Sequence, residues 1–337
     1  MELLIEQLNK SFKISKPKSQ IKNIHVLKSL DLSIEDNEIY CLLGNNGAGK
    51  STLLNCIGGI HIPDSGNIII KSGILVLNTV TQAKKAKQKI LFNFQDPKFD
   101  SRLTAKANLD FHLRMYMIER ESRKKLIEEY LKKFNLYSKK DSKVYFLSGG
   151  QKKQLENIRG FITSKALRKE DILFLTDEPT AYCDISAKKI IWEEIKAITN
   201  RGTVLFSTND LFEAEQLINP KNGKIGFIKQ GKVVFSGSKV DLQKKLTNRG
   251  NINLITETEI DNQSFSSFRN LLTQQFSAIS IDSIPENFTI KIENISQEQM
   301  NEVITEAIMY FQAQNIFLDK IEKIKPSIND LFIHNGD

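Results

Sequence analysis

The stretch that decides the fold is Gly44-Asn45-Asn46-Gly47-Ala48-Gly49-Lys50-Ser51-Thr52, which fits the pattern G-x-x-x-x-G-K-S/T. The apolar run 38–43 before it predicts a strand, and residues 50–60 after it predict a helix. Glycines let a loop curl so that its N–H groups point at phosphate oxygens, and the helix start adds positive charge. We therefore expect all nine residues to bind phosphate, with Lys50 on the β- and γ-phosphates and the Ser51 hydroxyl on Mg²⁺.

Two acidic residues, Asp177 and Glu178, end a second predicted buried strand, residues 171–175 followed by Thr176. Phosphoryl transfer needs a carboxylate near the metal and a group that positions water. The sequence therefore predicts that Asp177 holds Mg²⁺ through water and that Glu178 is the base that polarises the attacking water.

Composition and charge place this motif in a soluble, two-part chain. The 337 residues suffice for about two domains, and 40% hydrophobic with 26% charged residues is typical of globular proteins. Residues 1–250 hold 43 basic and 27 acidic side chains, a net charge of +16, whereas residues 251–337 hold 5 and 13, a net charge of −8. The charge break predicts two units.

Other segments of the sequence narrow the class further. No run of 18 apolar residues is present and the N-terminus is acidic, so we expect neither a bilayer span nor a secretory signal. Three widely spaced cysteines predict buried thiols in a reducing compartment: Cys41, Cys56 and Cys183.

The first 245 residues alternate predicted strands and helices, which indicates a sheet covered by helices. Residues 204–207 predict a strand, residues 211–218 a helix capped by Asp210, and residues 225–229 and 232–236 a hairpin. Residues 103–140 predict a helical insert. The tail carries strand patterns near 253–256 and 288–292 and a helix pattern over 297–312.

The pentapeptide Leu147-Ser148-Gly149-Gly150-Gln151, together with the phosphate loop and Asp177-Glu178-Pro179-Thr180, resembles the nucleotide-binding subunits of ABC transporters. The resemblance runs through residues 1 to about 240. It implies an α/β fold, a P-loop NTPase ABC-type ATPase core over 1–245, with a mixed sheet, an antiparallel β-subdomain and a helical insert at about 96–160. A small α+β accessory or regulatory domain would follow at 246–337.

The same resemblance implies ATP and Mg²⁺ as cofactors and a head-to-tail dimer with a second ATPase subunit, identical or different. Residues Ser148, Gly149, Gly150 and Gln151 would cover the γ-phosphate held by the partner's phosphate loop. A polytopic membrane subunit on a separate chain would be the other partner, and the chain would lie peripherally on the cytoplasmic face of a membrane. No nucleic acid is expected as a partner, because lysine-rich stretches such as 84–89 lack interleaved aromatics.

Three further residues match the family's motifs position by position, and a fourth position departs from them. The resemblance implies that Phe12 stacks on adenine, that Gln95 touches Mg²⁺, and that Asp184 crosses the dimer interface. At the fourth position Asn209 stands where the family has a histidine that contacts the γ-phosphate, and it has no ionisable ring. Hydrolysis is therefore expected to be slow, and a hydrolysis-impaired, nucleotide-gated regulatory subunit is the alternative.

Two other features bear on the transport function. Tyr182 stands where the family usually has glycine, which predicts bulk at the dimer interface and favours an asymmetric pair. The closing segment 324–333 is similar to that of ABC subunits serving drug, lipid and polysaccharide exporters, so export is the expected direction.

Overall fold

The computed structural model describes residues 1–15, 21–167, 171–218, 223–247, 249–276, 279–284, 288–296 and 298–324. The closing segment 325–333, which carries the exporter resemblance, lies outside these residues. The chain divides into two compact units, Met1–Ser238 and Lys239–Asp337.

The described strands are β1 (Glu2–Ser15), β2 (Ile21–Ile34), β3 (Ile39–Leu43), β4 (Ser65–Ser72), β5 (Leu75–Asn78), β6 (Ile90–Asn93), β7 (Ile172–Asp177), β8 (Gly202–Thr208), β9 (Gly223–Lys229), β10 (Lys232–Ser238), β11 (Arg249–Thr256), β12 (Ser280–Ile284), β13 (Thr289–Ser296) and β14 (Leu318–Ile324). The described helices are α1 (Lys50–Ile57), α2 (Ala83–Ala86), α3 (Ala105–Met115), α4 (Arg120–Lys133), α5 (Gly149–Leu167), α6 (Ile185–Ile198), α7 (Leu211–Leu217), α8 (Lys239–Thr247), α9 (Asn262–Gln275) and α10 (Met300–Ala313).

The first unit is built on a six-stranded mixed sheet with strand order β10-β9-β3-β8-β7-β6. All neighbours are parallel except β10, which pairs antiparallel with β9. Every residue of β3, β7 and β8 is buried, as expected for parallel strands covered on both faces. The predicted α/β class is confirmed.

The predicted hairpin joins β9 to β10 at Gln230 and Gly231, which both have positive φ values of 48° and 82°. Such backbone favours glycine and matches the twist of a two-residue turn. The predicted cap of α7 is also present, because Asp210 accepts hydrogen bonds from the N–H groups of Phe212 and Glu213. Helix α1 ends at Ile57, three residues before the predicted end, where Gly58 and Gly59 follow.

A second sheet of the first unit is antiparallel, with order β2-β1-β4-β5. The predicted helical insert is present as α3 and α4, and Thr104 caps α3 by accepting a hydrogen bond from the Ala107 N–H. The three cysteines are free and buried, as predicted. No helix among the described residues combines the length and the apolarity that a bilayer crossing requires.

The second unit forms an antiparallel sheet of order β12-β13-β11-β14, with α9 following β11 and α10 following β13. This α+β arrangement agrees with the predicted class, although the sequence pattern missed β12, β14 and α9. One apolar core joins the sheet to the two helices, and Phe268, Leu272 and Phe311 lie at its centre with side chains fully buried. The unit therefore has a core of its own.

Removing the Phe311 ring tests this separate core. We expect Phe311→Ala to destabilise the second unit by about 3–5 kcal/mol, because the lost contacts leave a cavity. Hydrogen exchange should show protection lost in strands β11–β14 and kept in β3, β7 and β8. Phe317→Ala is the matched control, since that ring is 70% exposed. Equal loss of protection in both sets of strands would contradict separate cores.

Candidate functional site

The phosphate loop, residues 44–52, follows the carboxyl end of β3 and includes the first three residues of α1. Gly49 precedes the helix with φ 109°, and a Cβ atom there would lie 3.0 Å from the Leu27 side chain. The hairpin turn supports the loop from behind, because the Gly231 N–H donates to the Ala48 carbonyl oxygen at 3.0 Å. Asn45, Asn46 and Gly47 are exposed at the loop tip. The predicted order of strand, loop and helix around this segment is confirmed.

Lys50 is buried beneath this loop, with 6% of its surface exposed. Its ammonium donates hydrogen bonds to the carbonyl oxygens of Gly44 at 2.6 Å and Asn45 at 3.2 Å. Burial lowers the pKa of Lys50, whereas the negative charges of Glu178 and Asp177 raise it. The loop thus holds a cation within the electrostatic reach of both predicted carboxylates.

Gln95, Asp177 and Glu178 are brought together where β6 and β7 end. The Gln95 Nε2 donates to the Glu178 Oε2 at 3.1 Å. Glu178 has a left-handed backbone, φ 45°, and its N–H donates to the Ser207 carbonyl oxygen at 3.0 Å. The Ser207 hydroxyl donates to Asp177 Oδ1. Strand β8 therefore fixes both acids, and Ser207 is a supporting residue that the sequence analysis missed.

The donor atoms of Ser51, Gln95 and Asp177 suit Mg²⁺. Hydroxyl, amide and carboxylate oxygens are the ligands that this ion prefers, and it usually combines one or two carboxylates with substrate phosphates. The amide nitrogen of Gln95 is bonded to Glu178, so its carbonyl oxygen is the atom for a metal. No group of three or more His, Cys, Asp or Glu side chains able to hold a metal exists in the described part of the chain. The set therefore fits an ion that phosphate oxygens help to hold.

Asn209 follows the carboxyl end of β8, which lies between β3 and β7. The residue before it, Thr208, is paired with Leu43, the last residue before the phosphate loop. Ser207 is paired with Asp177. Asn209 is exposed, and the register places it between the loop and Glu178.

Ser148 and Gln151 form a capping box at the start of α5. The Gln151 N–H donates to Ser148 Oγ at 3.2 Å, and the Ser148 N–H donates to Gln151 Oε1 at 3.1 Å. A Cβ atom on Gly150 would lie 2.3 Å from the Tyr182 carbonyl oxygen, so only glycine fits there. Among the described residues, no hydrogen bond or ion pair joins the segment 148–151 to the loop 44–52.

Phe12 lies on β1, where its ring meets His61 edge to face at 5.3 Å between ring centroids. Asp184 is the N-cap of α6, with its carboxylate accepting from the Ala187 N–H at 2.8 Å and the Ser186 hydroxyl at 2.7 Å. These two bonds lower the pKa of Asp184. Tyr182 has φ 62° and an 85% exposed side chain.

Lys153, the fully buried lysine of α5, was not predicted from the sequence. Its ammonium donates to the carbonyl oxygens of Phe94, Gln95 and Asp177. The one available signal was spacing, since Lys153, Asn157 and Gly160 lie on one face of a helix.

The chain is similar in sequence to a family profile and to several known proteins. A family profile described as ABC transporter matches residues 27–181. The chain is 30% identical over 310 residues to the linearmycin resistance ATP-binding protein LnrL of Bacillus subtilis, covering 92% of this chain and 93% of that protein. It is 31% identical to the Nod factor export ATP-binding protein I of Burkholderia orbicola over 63% of this chain and 66% of that one. Shorter matches also reach ATP-binding proteins named for methionine import.

A solved structure agrees with these relatives. It is a dimeric ATP-binding cassette in a post-hydrolysis state bound to ADP and Pi, with TM-score 0.59 and 25% identity, covering 70% of this chain and 98% of that one.

Replacing Lys50 tests the phosphate loop. Loss of a charge-assisted hydrogen bond costs about 1.5–3 kcal/mol, so we expect Lys50→Met to weaken ATP affinity by about 10- to 150-fold in a titration of the purified chain. Lys84→Met, at an exposed lysine outside the loop, should bind as the parent does. Parental affinity in Lys50→Met would rule out the assigned role of Lys50.

Proposed function

The chain belongs to the ATP-binding proteins of ABC transporters, and on that premise we propose that it powers export across a membrane. It binds ATP and is an ATPase of this family. The proposal adds the direction of transport, the roles of the site residues and the partners.

Export is favoured by the relative that matches along nearly the whole chain. The similarity to the linearmycin resistance protein covers 92% of the chain, so it extends into the second unit, whereas the relatives named for methionine import and sulfate import match 65% and 74% of the chain. Resistance to a compound is the phenotype that outward transport produces.

In the proposed mechanism the chain's own residues divide the work of hydrolysis. Lys50 and the loop amides bind the β- and γ-phosphates, and Phe12 stacks on the adenine. Ser51, Gln95 and Asp177 would hold Mg²⁺, which would supply positive charge against the phosphates. Glu178 orients and polarises the attacking water, and Gln95 holds the Glu178 carboxylate. The Gln95–Glu178 hydrogen bond at 3.1 Å is the observation that carries this assignment.

The proposed partners are a second ATPase subunit, identical or different, and a polytopic membrane subunit on a separate chain at the cytoplasmic face of a membrane. In a head-to-tail dimer the α5 start at Ser148–Gln151 would cover the nucleotide on the partner's loop. The first amides of a helix lack intrahelical acceptors and attract anions. Asp184 and the exposed Tyr182 would lie at that interface.

We also propose that the unit from Lys239 onward is an accessory domain that regulates the ATPase. Its separate apolar core supports this division. Unchanged ATPase activity in the Phe311→Ala variant would contradict a regulatory role.

A second candidate is a hydrolysis-impaired, nucleotide-gated regulatory subunit. The observation that favours it is Asn209, because it follows β8, the strand that pairs with β3 before the loop and with β7 before Glu178. An asparagine side chain can donate a hydrogen bond but cannot carry a positive charge as histidine can.

Glu178→Gln tests the primary proposal. The amide keeps the shape of the side chain but cannot act as a base, so we expect ATP affinity to be retained, hydrolysis to fall by about 100-fold or more, and a dimer to accumulate. Light scattering measures the amount of dimer, and a single-turnover assay measures the rate of hydrolysis. Glu193→Gln is the control, at an exposed glutamate. A parental hydrolysis rate in Glu178→Gln would refute the role of Glu178.

Asn209→His separates the two candidates. If Asn209 limits hydrolysis, the histidine variant should hydrolyse bound ATP about 10- to 100-fold faster in a single turnover, because an added donor stabilises transition-state charge. Asn200→His, at an exposed turn residue, should leave the rate unchanged. An unchanged rate in Asn209→His would remove the second candidate.

A further inference from the structure

Helix α5 buries charged and polar side chains against the segments that follow β6 and β7. Lys153 is 1% exposed, and Glu156 and Asn157 are 0% exposed. Charged side chains are almost never fully buried unless they are paired, because desolvation is costly. Their partners therefore identify what this face of α5 holds in place.

The Lys153 ammonium uses all three of its protons on backbone carbonyl oxygens. It donates to Asp177 at 2.7 Å, to Phe94 at 2.9 Å and to Gln95 at 3.2 Å. Strands β6 and β7 pair up to Asn93 and Thr176, so these three carbonyls lie at or beyond the end of that ladder. The Lys153 ammonium thus connects the two chain segments beyond the point where the backbone pairing of β6 with β7 ends.

Two of these carbonyls lie in the backbone next to Gln95 and Glu178, the two residues proposed to act together in hydrolysis. One belongs to Gln95 itself, and another belongs to Asp177, whose carbonyl carbon is bonded to the nitrogen of Glu178. The Gln95 amide and the Glu178 carboxylate meet at 3.1 Å. The Lys153 ammonium therefore links the Gln95 backbone to the peptide bond between Asp177 and Glu178.

Glu156 reinforces the same attachment. Its Oε1 accepts from the Phe94 N–H at 3.0 Å, and it is paired with Arg159. Phe94 is thus bound at its N–H by Glu156 and at its carbonyl oxygen by Lys153. Burial lowers the pKa of Lys153, and the nearby Glu156 and Asp177 carboxylates oppose that shift.

We infer that Lys153 is a positioning residue for ATP hydrolysis, which holds Gln95 and Glu178 at their working separation without contacting the nucleotide. The inference rests on the proposed roles of Gln95 and Glu178. It assigns Lys153 to the rate of hydrolysis and not to nucleotide affinity.

The test compares the parent, Lys153→Met, Gln95→Ala and the double variant. Methionine fills a similar volume without the charge. We expect Lys153→Met to lower kcat by about 10- to 100-fold, as misplacement of a catalytic group does, with the KM for ATP within about twofold. Because Lys153 acts through Gln95, the kcat of the double variant should lie within about twofold of the kcat of Gln95→Ala. Coupled residues show such non-additive effects.

Lys152→Met is the matched control, since Lys152 is not among the buried side chains of α5, and this variant should behave as the parent. Thermal unfolding of each variant accompanies the assays. If the methionine variant does not fold, Lys153→Gln, which keeps a donor group, enters the same cycle. A parental kcat, a loss confined to KM, or single effects that multiply in the double variant would each overturn the inference.

Glu178→Gln in the same assay separates the proposed catalytic role of Glu178 from the positioning role of Lys153. A parental rate in that variant refutes the proposed role of Glu178. A strongly reduced rate there, combined with a parental rate in Lys153→Met, refutes the positioning role of Lys153 alone.

Discussion

The parallel pairing of β3, β8 and β7 is the constraint on which the first unit depends. All three strands are buried along their whole length, and each fully buried Leu, Ile or Phe contributes about 1.5–3 kcal/mol of transfer free energy. Parallel strands bring their carboxyl ends to one edge of a sheet. The phosphate loop follows β3, Asn209 follows β8 and Glu178 follows β7, so the chemistry is gathered by the same pairing that forms the core.

Sequence reasoning succeeded where the signal is local. The phosphate loop, the Asp210 cap and the Gln230-Gly231 turn each depend on a few neighbouring residues whose backbone preferences are strong. The buried strands β3, β7 and β8 were predicted because each contains a short apolar run. Gln95 and Glu178 were predicted to act in one site, and the structure joins them directly.

Other features could not be predicted because they depend on contacts between residues that are far apart in the sequence. Lys153 lies in a polar stretch of sequence that is typical of a solvated helix, and its three acceptors are 59, 58 and 24 residues away along the chain. Ser207 was predicted as a strand residue, and only the register with β7 places its hydroxyl on Asp177. In the second unit, α9 was missed because its polar residues weaken the helical pattern, although Asp261 caps it.

Phe94 is bonded to α5 at both its N–H and its carbonyl oxygen, and these bonds oppose sliding of the helix past residue 94. A helix that slides by one residue moves 1.5 Å along its axis, and such a shift would break the bonds from Lys153 and Glu156 together. Residues 94–95 are therefore attached to α5 by three hydrogen bonds. Since Ser148 caps the same helix, we expect a displacement of the pentapeptide to be passed to the Gln95 backbone through these bonds, with no intervening loop.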